Sequence, residues 1–386
     1  MTSKRLGLLV AGVLVLGAAV AIVVAGPDET VDTVLGWTDR LQSVAADAPE
    51  QDLAARRAAP GEGSLLIVVT DDNGAGAAFG ILTRSGDGPL TLAVVPSALY
   101  DLLPGFGEFP LSDATLFEDE DLAVMTLENT LGIQIDAVAV VPAEAFGEVL
   151  DGSVTVDLPN QLVVEREDGV VTVVASDGVA GRSPEQLADI FTVQGSSDSL
   201  EWLERQAAAW EGLVVQVASD AQTLDRFTAL AGSGSGVAEG LLVAEGEGLE
   251  VTLIPVSTAG AGDNQGFTAN QTDIQSFVER WMPHLATSTD LRPRVELLNG
   301  NGRVGTTRSV ANVLIDQGYH VVRTDNAESF TFETTVVVAQ GRENADPARR
   351  AVSLLGVGDL QLELRAPSGV VDLSIIVGQD IPSGEG

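Results

Sequence analysis

The stretch that decides the fold of the last part of the chain is VELLNGNGRVGTTRSVANVLIDQGYHVV, residues 295–322. An aliphatic run, VELLN, ends in a glycine loop. The loop leads into a segment at 309–317 with apolar residues at helical spacing, and YHVVRT follows directly. This succession predicts a strand, a helix and a second strand. Beyond it, ETTVVVA, a helix at 347–355, LQLEL and VDLSIIV complete a predicted β-α-β-β-α-β-β domain over residues 293–381, with a short tail at 382–386.

The segment before it, residues 64–286, predicts a larger mixed α/β domain, and residues 287–292 a linker. Aliphatic and β-branched runs divided by turns rich in Gly and Asp predict strands at 64–70, 78–84, 90–96 and 136–142. A short helix is expected at 143–150, and Asp198 or Ser199 can cap a longer helix that continues to Val214. Late strands are predicted at 241–243 and 249–255 and a closing helix at 273–285. Because strands and helices are interspersed, the fold class is α/β.

The N-terminal segment 6–25, LGLLVAGVLVLGAAVAIVVA, contains no charged residue. A helix of this length spans ~30 Å, the thickness of a bilayer core, so one transmembrane helix is predicted. Lys4 and Arg5 precede it and acidic residues follow, which places residues 1–5 in the cytoplasm and the remaining chain outside the plasma membrane. A signal peptide cleaved after Ala25 is the alternative. Residues 26–63 are predicted to form a stalk.

Composition excludes several kinds of chemistry. The chain has no Cys and two His, which rules out disulfides, thiolate zinc sites and a Cys nucleophile. Its formal net charge of −36 disfavours binding to nucleic acid. Most of the acidity lies in residues 64–291, which carry six Arg and 36 Asp or Glu, whereas residues 292–386 are close to neutral at −3.

The glycine loop itself, Gly300-Asn301-Gly302-Arg303-Val304-Gly305, has the G-x-G-x-x-G spacing of a dinucleotide fingerprint, with Asp325 twenty residues beyond it. This pattern allows a dinucleotide-binding regulator. The domain is too small for the parallel sheet of a dinucleotide fold, however, so a tight turn in which glycines permit positive φ is the competing interpretation.

The order of elements in residues 293–381, with Leu-Asn-Gly at the end of the first strand and a closing Gly378-x-Asp380, resembles the C-terminal domain of LytR-CpsA-Psr family proteins. The resemblance implies an extracytoplasmic module of bacterial cell-envelope proteins. By extension, residues 64–286 resemble, in degenerate form, that family's catalytic domain, which moves glycopolymers from polyprenyl pyrophosphate carriers onto peptidoglycan.

The residues that the resemblance assigns to catalysis are mostly replaced. Asp71 stands where a magnesium ligand is expected, and Arg205-Gln206 are kept in a later helix. The family's arginines are replaced by Asn73, Ser97, Thr192, Gln194 and Trp202.

A pyrophosphate needs guanidinium groups and a metal to hold its charge, so these replacements predict a domain without transferase activity. Asp71 is then expected to be a turn carboxylate, with magnesium binding as the alternative. Arg205 is expected to pair on the helix surface with Glu201 or Glu204, with contact to a residual ligand, shared with Gln206, as the alternative.

The sequence therefore predicts a membrane-anchored, extracytoplasmic cell-envelope protein without catalytic residues, metal site or cofactor, acting as a scaffold or interaction module. The alternative is a divergent, active glycopolymer transferase, which would require Mg²⁺. The expected partner is another envelope protein or a wall polymer, and the membrane is contacted through residues 6–25. Because the C-terminal domain is nearly neutral, the contact is expected at its glycine loop and flanking residues, Asn299, Gly300, Gly302, Arg303, Gly305 and Arg308.

Overall fold

The computed structural model describes residues 63–86, 88–117, 120–165, 169–243, 248–260, 266–288, 291–357, 359–363 and 369–381. All of them belong to one compact unit, Gln51–Pro382. The predicted cytoplasmic end, the membrane helix at 6–25 and nearly all of the stalk lie outside the described residues and stay predictions. Within the described part, no helix is both long and apolar enough to cross a membrane.

The first part of the described chain alternates strands and helices. In chain order they are β1 (Gly63–Thr70), β2 (Gly76–Arg84), β3 (Leu90–Val95), β4 (Tyr100–Leu103), β5 (Gly107–Pro110), α1 (Ala114–Phe117), α2 (Glu120–Leu131), β6 (Ala137–Pro142), α3 (Phe146–Val149), β7 (Val154–Leu158), β8 (Leu162–Glu165), β9 (Val171–Ala175), β10 (Gly178–Arg182), α4 (Pro184–Thr192), α5 (Ser199–Ser219), α6 (Ala221–Leu230), α7 (Ser235–Val243), β11 (Leu249–Leu253), β12 (Ser257–Ala259), β13 (Gly266–Thr268) and α8 (Gln271–Trp281). Short 3-10 turns occur at Leu111–Asp113, Ala143–Ala145, Gly232–Gly234 and Pro283–Leu285.

A five-stranded sheet in the order β11-β3-β2-β1-β6 forms the centre of this part. The pairs β1–β2 and β2–β3 are antiparallel, whereas β6 and β11 run parallel to β1 and β3. Every residue of β1, β2 and β3 is buried, the pattern of strands that are covered on both faces. The predicted mixed α/β fold and its four early strands are therefore confirmed.

Helix α7 occupies a position where a strand was predicted. The run Leu241–Val243 is its last turn, and the helix buries Ala238, Leu241 and Leu242 at helical spacing. The strand prediction was wrong because so short an apolar run fits either structure. The preceding segment 232–236, GSGSG, forms the 3-10 turn and the first residues of α7.

Other predicted helices are confirmed with shifted ends. The Asp198 carboxylate accepts from the backbone N–H groups of Leu200 and Glu201 and so caps α5, as predicted. The predicted closing helix is shorter than expected: α8 ends at Trp281, and Pro283, which lacks a backbone N–H, begins the separate 3-10 turn.

The C-terminal part contains β14 (Arg294–Asn299), α9 (Thr306–Ile315), β15 (His320–Asn326), β16 (Val336–Gln340), α10 (Ala345–Leu355), β17 (Asp359–Glu363) and β18 (Leu373–Val377). This is the predicted β-α-β-β-α-β-β order. The strands form one sheet in the order β15-β14-β18-β16-β17, in which β16 and β18 are antiparallel and the other neighbours are parallel.

Side-chain hydrogen bonds and packing, as well as the continuous backbone, connect the first part of the chain to the C-terminal part. Asn129, a fully buried residue of α2, donates its Nδ2 to the carbonyl oxygen of Val321 at 2.8 Å and accepts from the N–H of Val321 at 2.9 Å. These are the two bonds that a residue on a neighbouring strand would make. Leu102 and Met125 also pack in the hydrophobic cluster of the C-terminal sheet. The edge strand β15 is thus covered by the first part of the chain.

Candidate functional site

Asp71, expected to be a turn carboxylate with magnesium binding as the alternative, closes the turn after β1. Its Oδ1 accepts from the backbone N–H groups of Asn73 at 2.8 Å and Ala75 at 2.9 Å. Among the described residues no group of three or more carboxylates and histidines is placed to hold a metal ion. The geometry is that of a turn carboxylate whose lone pairs are used locally.

Arg205 is fully buried, so the predicted surface ion pair with Glu201 or Glu204 is wrong. Its Nη1 donates to Asn160 Oδ1 and Ser197 Oγ, both at 2.6 Å, and its Nη2 donates to the carbonyl oxygen of Gln194 at 2.8 Å. Burial lowers the pKa of Arg205, and the nearby charge of Glu201 offsets this in part. The guanidinium therefore ties α5 to the β7–β8 turn and to the loop between α4 and α5, and the helix face it occupies is an inner one.

Gln206, its neighbour in the sequence, has a structural role as well. The side chain is 2% exposed, and its Nε2 donates to the carbonyl oxygens of Ala77 at 3.0 Å and Phe191 at 2.7 Å. The hydrogen bonds of Asp71, Arg205 and Gln206 share no partner. The three residues that the resemblance grouped into one site are thus engaged separately by the surrounding protein.

Replacing Arg205 with Met is expected to lower the free energy of unfolding by about 2 kcal/mol, because it removes three hydrogen bonds of a buried cation. Arg226→Met is the matched control, since the ion pair of Arg226 with Asp151 is open to solvent, where water and salt screen it and it contributes little to stability. Urea unfolding of both variants makes the comparison. Equal stability of the two variants would contradict the structural role.

The other described arginines of the acidic segment also contact protein groups, although the buried Nε and Nη1 of Arg84 have no hydrogen-bond partner among the described residues. Five of the six between residues 64 and 291 lie in the described part of the chain, and no two of them share a partner there. Arg84 donates to the carbonyl oxygen of Leu241, Arg182 to those of Ser176 and Gly178, Arg205 to the groups above, Arg226 to Asp151, and Arg280 lies over the ring of Trp281 at 5.1 Å.

The glycine loop of the C-terminal part is closed by its own asparagines. Asn299 Oδ1 accepts from the N–H groups of Asn301 at 3.2 Å and Gly302 at 2.9 Å, and Asn301 Oδ1 accepts from that of Arg303 at 2.9 Å. Three consecutive N–H groups of the loop, those of Asn301, Gly302 and Arg303, are therefore already bonded within it. Gly302 and Gly305 have positive φ, +73° and +79°, as the tight-turn interpretation requires. At Gly300 a Cβ would lie 2.7 Å from Ile376 Cγ2, so a side chain is excluded there.

The two arginines of this loop differ in exposure. Arg303 is exposed, whereas Arg308 is partly buried and its Cβ lies 3.3 Å from the position that a Cβ on Gly105 would take. Burial lowers the pKa of Arg308. The side chain of Arg308 begins against the β4–β5 turn, whereas that of Arg303 lies on the exposed side of the loop.

A cleft of about 320 Å³, called here the β4–β15 cleft, lies where the two parts meet. Its polar wall consists of side chains from β4, β5, the end of α2, the start of α8 and the start of β15, namely Tyr100, Asp101, Glu108, Thr130, Gln271 and His320. These residues are separated by up to 220 positions in the chain, and none of them was predicted as a site residue from the sequence.

Burial is the main cause of the shifted pKa values of two groups at this cleft, Asp101 and His320. Asp101 accepts from the hydroxyl of Thr130 and from the N–H of Leu102, and burial raises its pKa despite these bonds and the charge of Arg292. Burial lowers the pKa of His320 to about 3, aided by the charges of Arg292 and Arg294. In the orientation that satisfies its neighbours, the Gln271 amide donates to His320 Nδ1 and accepts from Arg292 Nη2 at 2.9 Å. His320 is thus neutral at pH 7, with its ring proton on Nε2.

Acid is expected to destabilise the protein through His320. The unfolded chain binds a proton at the ordinary pKa of about 6.5, whereas the folded chain binds it only near 3, so stability is lost as the pH falls below 6.5. Between pH 7 and pH 5 the loss is about 2 kcal/mol. The raised pKa of Asp101 acts in the opposite direction. Urea unfolding at both pH values should show a smaller loss for His320→Gln than for wild type, and the same loss in both proteins would refute the assignment.

Residues 292–380 match the LytR_C family model, described as the LytR cell envelope-related transcriptional attenuator. The match confirms the resemblance to LytR-CpsA-Psr family proteins and locates it in the C-terminal part. A search of curated proteins finds no match to the chain.

Solved structures similar to the chain include TagV of Bacillus subtilis, with 17% identity and a TM-score of 0.48 over 59% of this chain and 98% of that one. A second is the LytR-CPS2A-psr family protein YwtF (TagT) with bound octaprenyl pyrophosphate lipid, with 16% identity and a TM-score of 0.43 over 62% and 98%. A third is a putative transcription regulator from Eubacterium siraeum, with 14% identity and a TM-score of 0.44 over 59% and 95%.

Proposed function

We propose that this protein is a membrane-anchored, extracytoplasmic component of the cell envelope that acts as a scaffold or interaction module rather than as a transferase. The proposal that the chain is not a transferase rests on the contacts that its arginines make. Each described arginine of residues 64–291 contacts protein groups in its own part of the fold, and no two share a partner. A diphosphate requires several cations directed at one place.

The charge of the acidic segment supports the same conclusion. Residues 64–291 have a net charge of −30, and in the part of this segment that the structure describes no cluster of guanidinium groups offsets this field for a polyanionic carrier. Asp71 uses its Oδ1 within its own turn. An active transferase, the alternative, would need cations supplied from elsewhere and Mg²⁺ held by other groups.

The envelope assignment rests on the match of residues 292–380 and on the uncharged segment 6–25. The proposed topology has residues 1–5 in the cytoplasm and the folded part outside the plasma membrane. There the partner is another envelope protein or a wall polymer, and neither nucleic acid nor a nucleotide cofactor is expected. The bonded N–H groups of the glycine loop argue against the dinucleotide-binding regulator.

The test of the non-catalytic role uses the full chain and a labelled polyprenyl pyrophosphate sugar, with and without Mg²⁺. We expect neither binding nor release of the labelled group under conditions in which TagT, whose structure holds an octaprenyl pyrophosphate lipid, binds the carrier as the positive control. Mg²⁺-dependent binding or turnover by this chain would overturn the scaffold function and favour the transferase.

A second experiment tests the envelope role. Photo-crosslinking in intact cells uses a crosslinker at exposed Arg303 and, as a control, one at exposed Glu148. The crosslinker at Arg303 should recover an envelope protein or wall fragment. Recovery of only cytoplasmic proteins from both positions would contradict the proposed location.

A further inference from the structure

The β4–β15 cleft has a fixed shape because the elements around it are held together by buried bonds. Asn129 joins α2 to β15 through both bonds to Val321. Arg292, 8% exposed, donates to the carbonyl oxygens of Asn129 at 2.6 Å and Thr130 at 3.0 Å, at the end of α2. A cleft of about 320 Å³ lies at the lower end of the range for small-molecule sites. It is therefore a preformed space for one small ligand.

The polar groups of the cleft favour a ligand that donates hydrogen bonds and carries no negative charge. Asp101 and Glu108 contribute carboxylates, which accept hydrogen bonds when ionised. The cation nearest to them, Arg292, directs its guanidinium to backbone carbonyls and to Gln271. Neutral His320 keeps one ring N–H as a donor. An anion would meet two carboxylates without a free cation among these lining groups.

An aromatic ring forms the rim of the cleft. The ring of Tyr100 packs against Gly266, where a Cβ would come within 2.6 Å of it, and Tyr100 remains 43% exposed. A flat apolar face next to hydrogen-bond acceptors suits a ligand with an apolar side and a hydroxyl-bearing edge.

We propose that the β4–β15 cleft binds an uncharged sugar ring. The C–H face of the sugar lies against Tyr100, and its hydroxyl groups donate to Asp101 and Glu108 and accept from His320. The site lies apart from the glycine loop and from Asp71, Arg205 and Gln206. The proposal rests on the proposed envelope function for the source of the sugar, which is a wall polymer.

The test titrates the full chain, kept in solution with a detergent that has no sugar headgroup, with three sugars of one ring type. N-acetylglucosamine is neutral, glucosamine is cationic and N-acetylmuramic acid is anionic. Calorimetry and saturation-transfer NMR should show a Kd on the order of 1 mM for N-acetylglucosamine and at least roughly ten-fold weaker binding of the anionic sugar. No binding of the neutral sugar, or binding of glucosamine alone, would overturn the proposal.

Variants at exposed positions of the cleft locate the binding. Tyr100→Ala should weaken the affinity for N-acetylglucosamine roughly ten-fold and Glu108→Gln roughly three-fold, while Tyr100→Phe retains most of it. Glu148→Gln, an exposed change in α3, is the matched control and should leave the affinity unchanged. Circular dichroism checks that each variant folds. Unchanged affinity in Tyr100→Ala and Glu108→Gln would place the sugar elsewhere and refute the site.

Retention on purified peptidoglycan separates the two sources of sugar. If free N-acetylglucosamine releases the retained protein from peptidoglycan, the cleft binds a sugar of the wall polymer. If N-acetylglucosamine binds but does not release the protein, the cleft binds a free sugar, and the proposal that the ligand is an uncharged sugar ring is still supported. A chain that binds no sugar but still crosslinks to envelope proteins would overturn this inference alone. Mg²⁺-dependent turnover of a polyprenyl pyrophosphate would overturn only the scaffold function.

Discussion

Replacement of Arg292 by Met is expected to lower the free energy of unfolding by about 4 kcal/mol, because breaking the contacts of a buried charge leaves its partners without bonds. Arg292 lies at the end of the predicted linker and donates to the carbonyl oxygens of Asn129 and Thr130, two residues that are themselves buried. Burial lowers the pKa of Arg292 to about 10, so it remains a cation at pH 7. Met keeps much of the volume but cannot donate to these carbonyls.

Urea unfolding and hydrogen exchange measure the effect. The amide hydrogen exchange of peptides from α2 and β15 should accelerate together, because Arg292 binds the end of α2 and Asn129 of α2 binds β15. Arg280→Met is the matched control: Arg280 is exposed beside Trp281, and its loss should cost about 0.5–1 kcal/mol. A decrease in the free energy of unfolding no larger than that of the control would show that the contact between α2 and β15 does not depend on Arg292.

Replacement of Gly378 by Ala is expected to cost about 3 kcal/mol and to disturb the C-terminal part alone. A Cβ on Gly378 would lie 2.4 Å from the carbonyl carbon of Thr334 and 2.5 Å from the nitrogen of Thr335, both backbone atoms that cannot turn away. The N–H of Gly378 also donates to Thr335 Oγ1, and Asp380 Oδ1 accepts from both the N–H and the hydroxyl of Thr335. The added methyl group would separate these partners.

Hydrogen exchange distinguishes this local effect from a global one. Peptides from β16 and β18 should lose protection, while those from β1 and β2 keep it. Gly147→Ala is the control, because Gly147 lies in α3 with no atom within 4 Å of an added Cβ, and Ala is the better helix former. If Gly378→Ala were as stable as Gly147→Ala, the close approach at residue 378 would not exist in solution.

The strands and helices could be predicted where their patterns are long. Continuous apolar runs such as 64–70 and 90–96 mark strands covered on both faces, and the closing Gly378-x-Asp380 marks the bond network around Thr335. Leu241–Val243 failed because three apolar residues do not distinguish a strand from the end of a helix. For so short a run, the packing of the neighbouring elements decides between strand and helix.

The site residues were harder to predict. Arg205 follows Glu201 by one turn and Glu204 by one residue, which favours a surface pair in the sequence, but Ala209 one turn later is fully buried and marks the inner face. The β4–β15 cleft joins Asp101 to His320 across two parts of the chain. No local pattern connects such positions, and the rarity of histidine in the sequence was the sole signal that could have drawn attention to residue 320.

The side chain of Asn129 has a consequence for how this protein can be divided. The match at 292–380 suggests a module that could be expressed by itself, yet its strand β15 is completed by an amide from α2. A fragment starting at residue 293 would leave the outer edge of β15 unpaired, and an unpaired edge is a template for another copy of the same strand. The excised domain is therefore prone to self-association that the intact chain prevents.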